Sequence, residues 1–221
     1  MTASATLLSR RGFLAGGASL AALTLAGCAT QRMRIDSPQF SDYYLTMYGP
    51  LPDEQFPVPA IDLTKLDPNM FRAQVPDPTG ERPGTIVVNT SERHLYLVLE
   101  NGESIRYGVG IGREGFAWSG RAQVGRKAAW PTWTPPKEMQ VRQPETQQYA
   151  NGMPPGLTNP LGARALYIYQ GGKDTLYRLH GTLEVWSIGQ AVSSGCVRLL
   201  FHDVIDLYNR APVGTPIVVN P

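Results

Sequence analysis

Over 94–100 and again over 104–111 the chain repeats an apolar residue at every second position, and that period of two constrains the fold more than any other feature. Leu95, Leu97 and Leu99 share one face of a run over 94–100, and Ile105, Tyr107, Val109 and Ile111 share one face of a run over 104–111. Asn101-Gly102 stands between the runs, a pair that accepts the positive φ angles of a tight hairpin. Gly84-Thr85-Ile86-Val87-Val88-Asn89 reads as the strand before them. Short loops predict that these strands pair antiparallel. Further strands are expected at 165–169, 175–179 and 216–219. Leu200, Val204, Leu207 and Tyr208 recur at helical spacing within 199–209, before Pro212 and Gly214 stop the pattern. The expectation is a mainly β domain with one clear helix, starting directly after Cys196.

Composition agrees. The 221 residues include 23 Gly and 19 Pro, and only 17% are charged, which favours strands and structured loops over a helical bundle. The stretch 112–162 reads as long and irregular, and such a stretch inside a domain suggests a lid or a binding wall. Trp130 and Trp133 within it are read as packing residues. No internal repeat is visible.

The first residues read as a targeting signal. Ser9-Arg10-Arg11-Gly12-Phe13-Leu14 looks like a twin-arginine export motif, and the apolar run after it is too short and too rich in Gly and Ala for a membrane span. Leu25-Ala26-Gly27-Cys28 resembles a lipobox, whose cysteine is lipidated. The expected organisation is a signal peptide over 1–27, a lipidated, Pro-rich approach segment over 28–82, and a folded domain over 83–221. Removing the leader takes away Arg10 and Arg11, leaving 20 − 2 = 18 basic against 18 acidic residues. A balanced chain without basic runs gives no reason to expect a nucleic-acid partner.

With Cys28 lipidated, Cys196 has no intramolecular disulfide partner. Cysteine counting leaves two readings open, a reactive thiol and a buried inert one. The surroundings favour reactivity. Ser193-Ser194-Gly195 is a tight turn, and a helix starting after it would put Cys196 near unpaired N–H groups that lower a thiol pKa. The backbone N–H groups of Gly195 and Cys196, with that of Ser194 as a further candidate, are the expected oxyanion donors, and Gly181 is a further backbone candidate at the site. The chain has three histidines. His94 reads as a surface residue, and His202, six positions after the cysteine, points elsewhere. His180, at a strand end before Gly181, is the candidate base. Its second ring nitrogen needs an acceptor, for which a backbone carbonyl such as that of Gly181 could serve.

The segment from Leu179-His180-Gly181-Thr182 through Ser187-Ile188-Gly189 to Ser193-Ser194-Gly195-Cys196-Val197-Arg198 resembles the L,D-transpeptidase catalytic domain family of the YkuD type (the ErfK/YbiS/YcfS/YnhG group). The resemblance spans roughly 83–220 and includes Asn159-Pro160-Leu161-Gly162. Ser194 departs from it, standing where many members carry a second histidine. The resemblance implies a β-sandwich or barrel-like fold and a Cys196 thiolate that attacks the third-residue carbonyl of a peptidoglycan stem tetrapeptide. His180 would protonate the departing D-Ala, and an amine would resolve the acyl-enzyme. Arg198 and Ser193 become candidate substrate contacts; for Arg198, bracing the catalytic turn is an equal alternative.

Two other functions remain open on the sequence. Water could resolve the same intermediate, giving an L,D-carboxypeptidase or amidase, or the chain could be a non-catalytic wall-binding lipoprotein. No metal or other cofactor is expected. The chain is expected to be a periplasmic monomer, anchored through Cys28 to the outer rather than the inner membrane, because Ala29 is not the Asp associated with inner-membrane retention.

Overall fold

The computed structural model describes residues 40–112, 119–193 and 195–221. The export motif, Cys28 and Ser194 lie outside them. Phe40–Pro221 form one compact unit. In chain order its elements are α1 (Asp42–Met47), β1 (Ala73–Pro76), β2 (Ile86–Asn89), β3 (His94–Val98), β4 (Glu103–Gly108), β5 (Ile111–Gly112), β6 (Gly120–Ala129), α2 (Lys137–Arg142), β7 (Arg164–Gln170), β8 (Lys173–Thr182), β9 (Ala191–Ser193), β10 (Val197–Leu200), α3 (Phe201–Arg210) and β11 (Pro216–Asn220). The fold is mainly β.

One sheet runs in the order β1-β4-β3-β2-β11-β6-β7-β8-β10, and β5 pairs with β9 in a second. In the large sheet neighbours are antiparallel except β11 with β2 and β10 with β8, and β5 and β9 are also parallel. The β3–β4 hairpin turns where expected, with Asn101 and Gly102 at φ 63° and 74°. The large sheet curls, because Gly110, just past β4, exchanges both backbone hydrogen bonds with Arg198 of β10, at 2.8 and 2.9 Å. Strands from both ends therefore share one core. Leu95, Leu97 and Tyr107 pack in the same cluster as Leu179, Val197 and Leu199, with Val204 and Leu207 of α3 closing it. The sheet is thus barrel-like around this core. Strand β2 is buried on both faces, which is why it reads as an unbroken apolar run rather than an alternation.

Two expectations need correction. Within the supposedly irregular 112–162, β6 is a ten-residue strand joining β11 to β7. Its sequence hides it, since Val124 alone is fully buried and a bulge at Gly125 breaks the alternation. Tyr169 packs over that glycine so closely that a Cβ would lie 2.2 Å from its ring. Second, helix α3 begins at Phe201, not next to Cys196. The intervening β10 puts Val197 and Leu199 into the core by period two, and its pairing with β8 outweighs the helical spacing that follows. Helix α3 is the one helix after the cysteine, as expected; α1 and α2, six residues each, precede it.

Residues 40–82 pack within the compact unit. Tyr48, Ile61, Leu63, Leu66 and Phe71 form a buried cluster with Ile188 and Leu200, and β1 adds an edge strand beside β4. Glu54 binds the Arg164 guanidinium through both carboxylate oxygens at 2.7 and 2.9 Å and accepts the Trp130 indole N–H at 2.9 Å.

Candidate active site

Strands β8 and β10 lie parallel, with Val197 opposite Leu179 and Arg198 opposite His180. Alternation then settles the faces. Leu179 and Val197 enter the core, so His180 and Arg198 point to the other face. Cys196, one position before Val197, belongs to that same face. With strands ~4.8 Å apart and a rise of ~3.3 Å per residue, Cys196 and His180 are diagonal neighbours. Both line a cavity of about 600 Å³.

The segment 130–162 walls this cavity from above, with Trp133, Met139 and Leu157 on its lining. It is held down by Asn159, which is 4% exposed. The Asn159 amide donates to the carbonyls of Pro131, Met153 and Pro154 at 2.9–3.1 Å, and its oxygen accepts the Leu161 N–H at 2.9 Å. Trp130 is a packing residue, buried with Val58, Ala163 and Phe201. Trp133 reaches the cavity.

His180 is 7% exposed. Its Nδ1 lies 3.0 Å from the Gly181 carbonyl. A carbonyl only accepts, so Nδ1 carries the hydrogen and Nε2 is left as the basic nitrogen. Burial pushes the His180 pKa down to about 4; the Gly181 bond opposes this, and the charges of Arg198 and Arg178 add to it. Burial likewise pushes the Cys196 thiol up, against the Arg178 N–H and the Arg178 and Arg198 charges. At neutral pH the pair therefore rests as thiol and imidazole, not as thiolate and imidazolium. Among the described residues, the Cys196 sulfur contacts the Leu176 carbonyl at 4.0 Å.

The turn before the cysteine differs from expectation. Gly195 takes φ 129°, a conformation that suits glycine. The Ser193 hydroxyl donates to the Cys196 carbonyl at 2.6 Å and accepts the Gly195 N–H at 3.3 Å. Ser193 is 3% exposed and lines the cavity, and its hydroxyl braces the turn. The Gly195 N–H, expected as an oxyanion donor, is turned to that brace. The Gly181 N–H is likewise spent on the Leu161 carbonyl at 3.1 Å. With α3 starting at Phe201, no helix N-terminus reaches the thiol.

Arg198 lines the cavity and pairs with Glu184 at 2.6 Å. The other histidines lie elsewhere. His94 Nε2 is 3.1 Å from the Asn69 carbonyl, and His202 Nε2 is 2.6 Å from the Gly49 carbonyl. Nothing in the residue pattern signalled the kink in β8 beside the thiol. Leu176 has φ 64°, its N–H is held by Asp174 at 2.8 Å, and Asp174 grips the Arg178 guanidinium at 2.6 and 2.8 Å.

The model of the L,D-transpeptidase catalytic domain matches residues 83–219. The chain belongs to this family. It is 38% identical over 136 residues to a probable L,D-transpeptidase, YbiS, of Escherichia coli K12, covering 59% of this chain and 42% of YbiS. A putative L,D-transpeptidase of Bacillus subtilis, YqjB, is 30% identical over 148 residues, covering 64% of this chain and 76% of YqjB. A crystal structure from Brucella melitensis, described as a probable carnitine operon oxidoreductase, is 43% identical, covers 72% of this chain and 99% of its own, and superposes with a TM-score of 0.49. The chain spans about two fifths of the length of YbiS. The family's catalytic region starts at 83, whereas the compact unit of this protein starts at Phe40.

Proposed function

We propose that this L,D-transpeptidase family member transfers peptidoglycan stem peptides through an acyl-enzyme on Cys196. The observation that carries the reading is His180, its Nδ1 tied to the Gly181 carbonyl and its ring on the face and in the cavity that hold Cys196. Substrate binding brings the sulfur off the Leu176 carbonyl toward Nε2. His180 takes the thiol proton as sulfur attacks the third-residue carbonyl, then delivers it to the nitrogen of the leaving D-Ala. A thioester remains. An incoming amine loses its proton to His180, attacks the thioester and regenerates the thiol. Arg198 faces the same cavity, and its forked donors suit a substrate carboxylate in exchange for the half-exposed Glu184.

The test is incubation of the purified protein with a disaccharide tetrapeptide. Cross-linked dimers support transfer, and tripeptide alone means that water resolves the thioester. A carbapenem adduct found by mass spectrometry on Cys196, and absent from Cys196→Ala, tests the nucleophile.

Export and anchoring belong to the same proposal. The twin-arginine motif and the Cys28 lipobox support a periplasmic enzyme tethered by lipid, with Ala29 favouring the outer membrane. Fatty-acid labelling that survives in Cys28→Ala would refute the anchor.

A further inference from the structure

Three strands place one residue each on a single line across the outer face of the sheet, and Cys196, just before β10, continues it. Arg126 of β6 is opposite Tyr167 of β7, and Tyr167 is opposite Arg178 of β8. Leu179 is opposite Val197, so the next position on the line is Cys196. Both guanidinium carbons lie 4.3 Å from the centre of the Tyr167 ring, one contributed by each flanking strand. The two cations differ in one respect. Asp174 neutralises Arg178 through two hydrogen bonds at 2.6 and 2.8 Å. Arg126 is exposed, and among the described residues no carboxylate pairs with it. A guanidinium pinned on an aromatic ring, held in place without a counter-ion, is a preorganised carboxylate receptor.

The chemistry says which part of a substrate runs along this line. The departing and the incoming amine exchange protons with the same nitrogen of His180, so by microscopic reversibility both occupy the His180 side of the sulfur. The acyl portion must leave the sulfur in another direction. The His180 side opens into the walled cavity; the line Arg178–Tyr167–Arg126 leads away from it. The Arg126 guanidinium lies 4.3 Å from the ring centre of Tyr167, and Tyr167 is two strand spacings from Cys196, about 10 Å along the sheet. That is roughly three residues of extended peptide.

We infer that Arg126 is a donor-recognition residue, binding a free carboxylate on the acyl side of the scissile bond. The inference rests on the proposed acyl-transfer reaction and names a subsite for its donor. The test uses the full chain and two tetrapeptide donors, identical except that the acyl-side carboxylate is free in one and a carboxamide in the other. Arg126→Gln should raise KM about tenfold for the carboxylate donor, the usual worth of one charge-assisted hydrogen bond. It should leave the carboxamide donor and the rate of Cys196 alkylation by neutral iodoacetamide unchanged. Equal effects on both donors, or none, overturn the assignment. Calorimetric binding of both donors to Cys196→Ala, with and without Arg126→Gln, reads the subsite without turnover. Carboxylate-dependent binding with no turnover by the unmodified chain would refute the reaction and keep the subsite; carboxylate-independent binding would refute the subsite whatever the reaction.

Discussion

His180 points its Nδ1 at the carbonyl of its own neighbour, Gly181, 3.0 Å away, so the group that orients the ring is main chain rather than a carboxylate. A neutral acceptor cannot hold a buried imidazolium as a carboxylate would. Burial therefore wins and depresses the His180 pKa to about 4. Burial thus favours the uncharged forms of both His180 and Cys196.

The first prediction concerns pH. In the protein without substrate, the rate of Cys196 alkylation by iodoacetamide should keep climbing above pH 8, because burial raises the thiol pKa. A plateau near neutral pH would reveal a preformed thiolate and sink the neutral-pair assignment. The stability effect has a definite sign. An unfolded histidine binds its proton near pH 6.5 and His180 only near about 4, so the unfolded state holds more protons between those values. This contribution is complete above pH 6.5 and is lost as pH falls toward 4. Denaturation midpoints of the native chain should drop over that window more than those of His180→Gln.

Asp203 should titrate in the opposite sense. It is fully buried on α3, accepts from the Tyr48 hydroxyl at 3.3 Å and lies 3.8 Å from Arg72. Burial, only partly offset by Arg72, raises its pKa to about 7. A raised carboxyl pKa stabilises the fold at low pH, and that contribution fades as pH rises through about 7. Melting temperatures of the native chain should therefore fall relative to Asp203→Asn between pH 5 and pH 9. A constant difference would refute the shift.

The third prediction is that a chain cut to 83–221 does not fold alone. It lacks Tyr48, Val58, Ile61, Leu63, Leu66 and Phe71, all buried against the remainder. At ~1.5–3 kcal/mol per side chain the loss is roughly 9–18 kcal/mol, comparable with the whole stability of an ordinary domain. Cooperative thermal unfolding of 83–221 would contradict this; residues 40–221 should show it.

Ser193→Ala tests the brace. Losing the hydroxyl frees the Gly195 N–H and the Cys196 carbonyl and should cost about 1–2 kcal/mol of stability. Acylation by a carbapenem should slow by about tenfold or more, since the turn that presents the thiol is no longer pinned. Acylation at the native rate would show that Gly195 and the β8 pairing hold Cys196 without it.

Gly162 should tolerate no side chain. It takes φ 63°, and a Cβ there would lie 2.4 Å from the Phe201 ring and 2.7 Å from the Gly181 oxygen. Gly162→Ala should thus cost about 1–3 kcal/mol and displace the carbonyl that orients His180. The expected signature is a fall in kcat larger than the change in KM. Unchanged kcat would show that the Gly181 carbonyl does not set the ring.

Sequence by itself determined the strands whose side chains split cleanly between core and solvent, and the Asn101-Gly102 turn between two of them. Spacing and residue type also singled out Cys196 and His180, because a lone thiol after a glycine turn and a histidine before a glycine are local signals. Tertiary structure decided what depends on partners distant in the chain. Strand β6 exists because β7 and β11 flank it, not because its own residues alternate. Strand β10 displaced the expected helix start because β8 offers Leu179 and His180 as pairing partners. The brace by Ser193, the grip of Asp174 on Arg178 and the line from Arg126 to Cys196 arise from register. Register sets which side chains meet across strands, and no spacing within one strand encodes it.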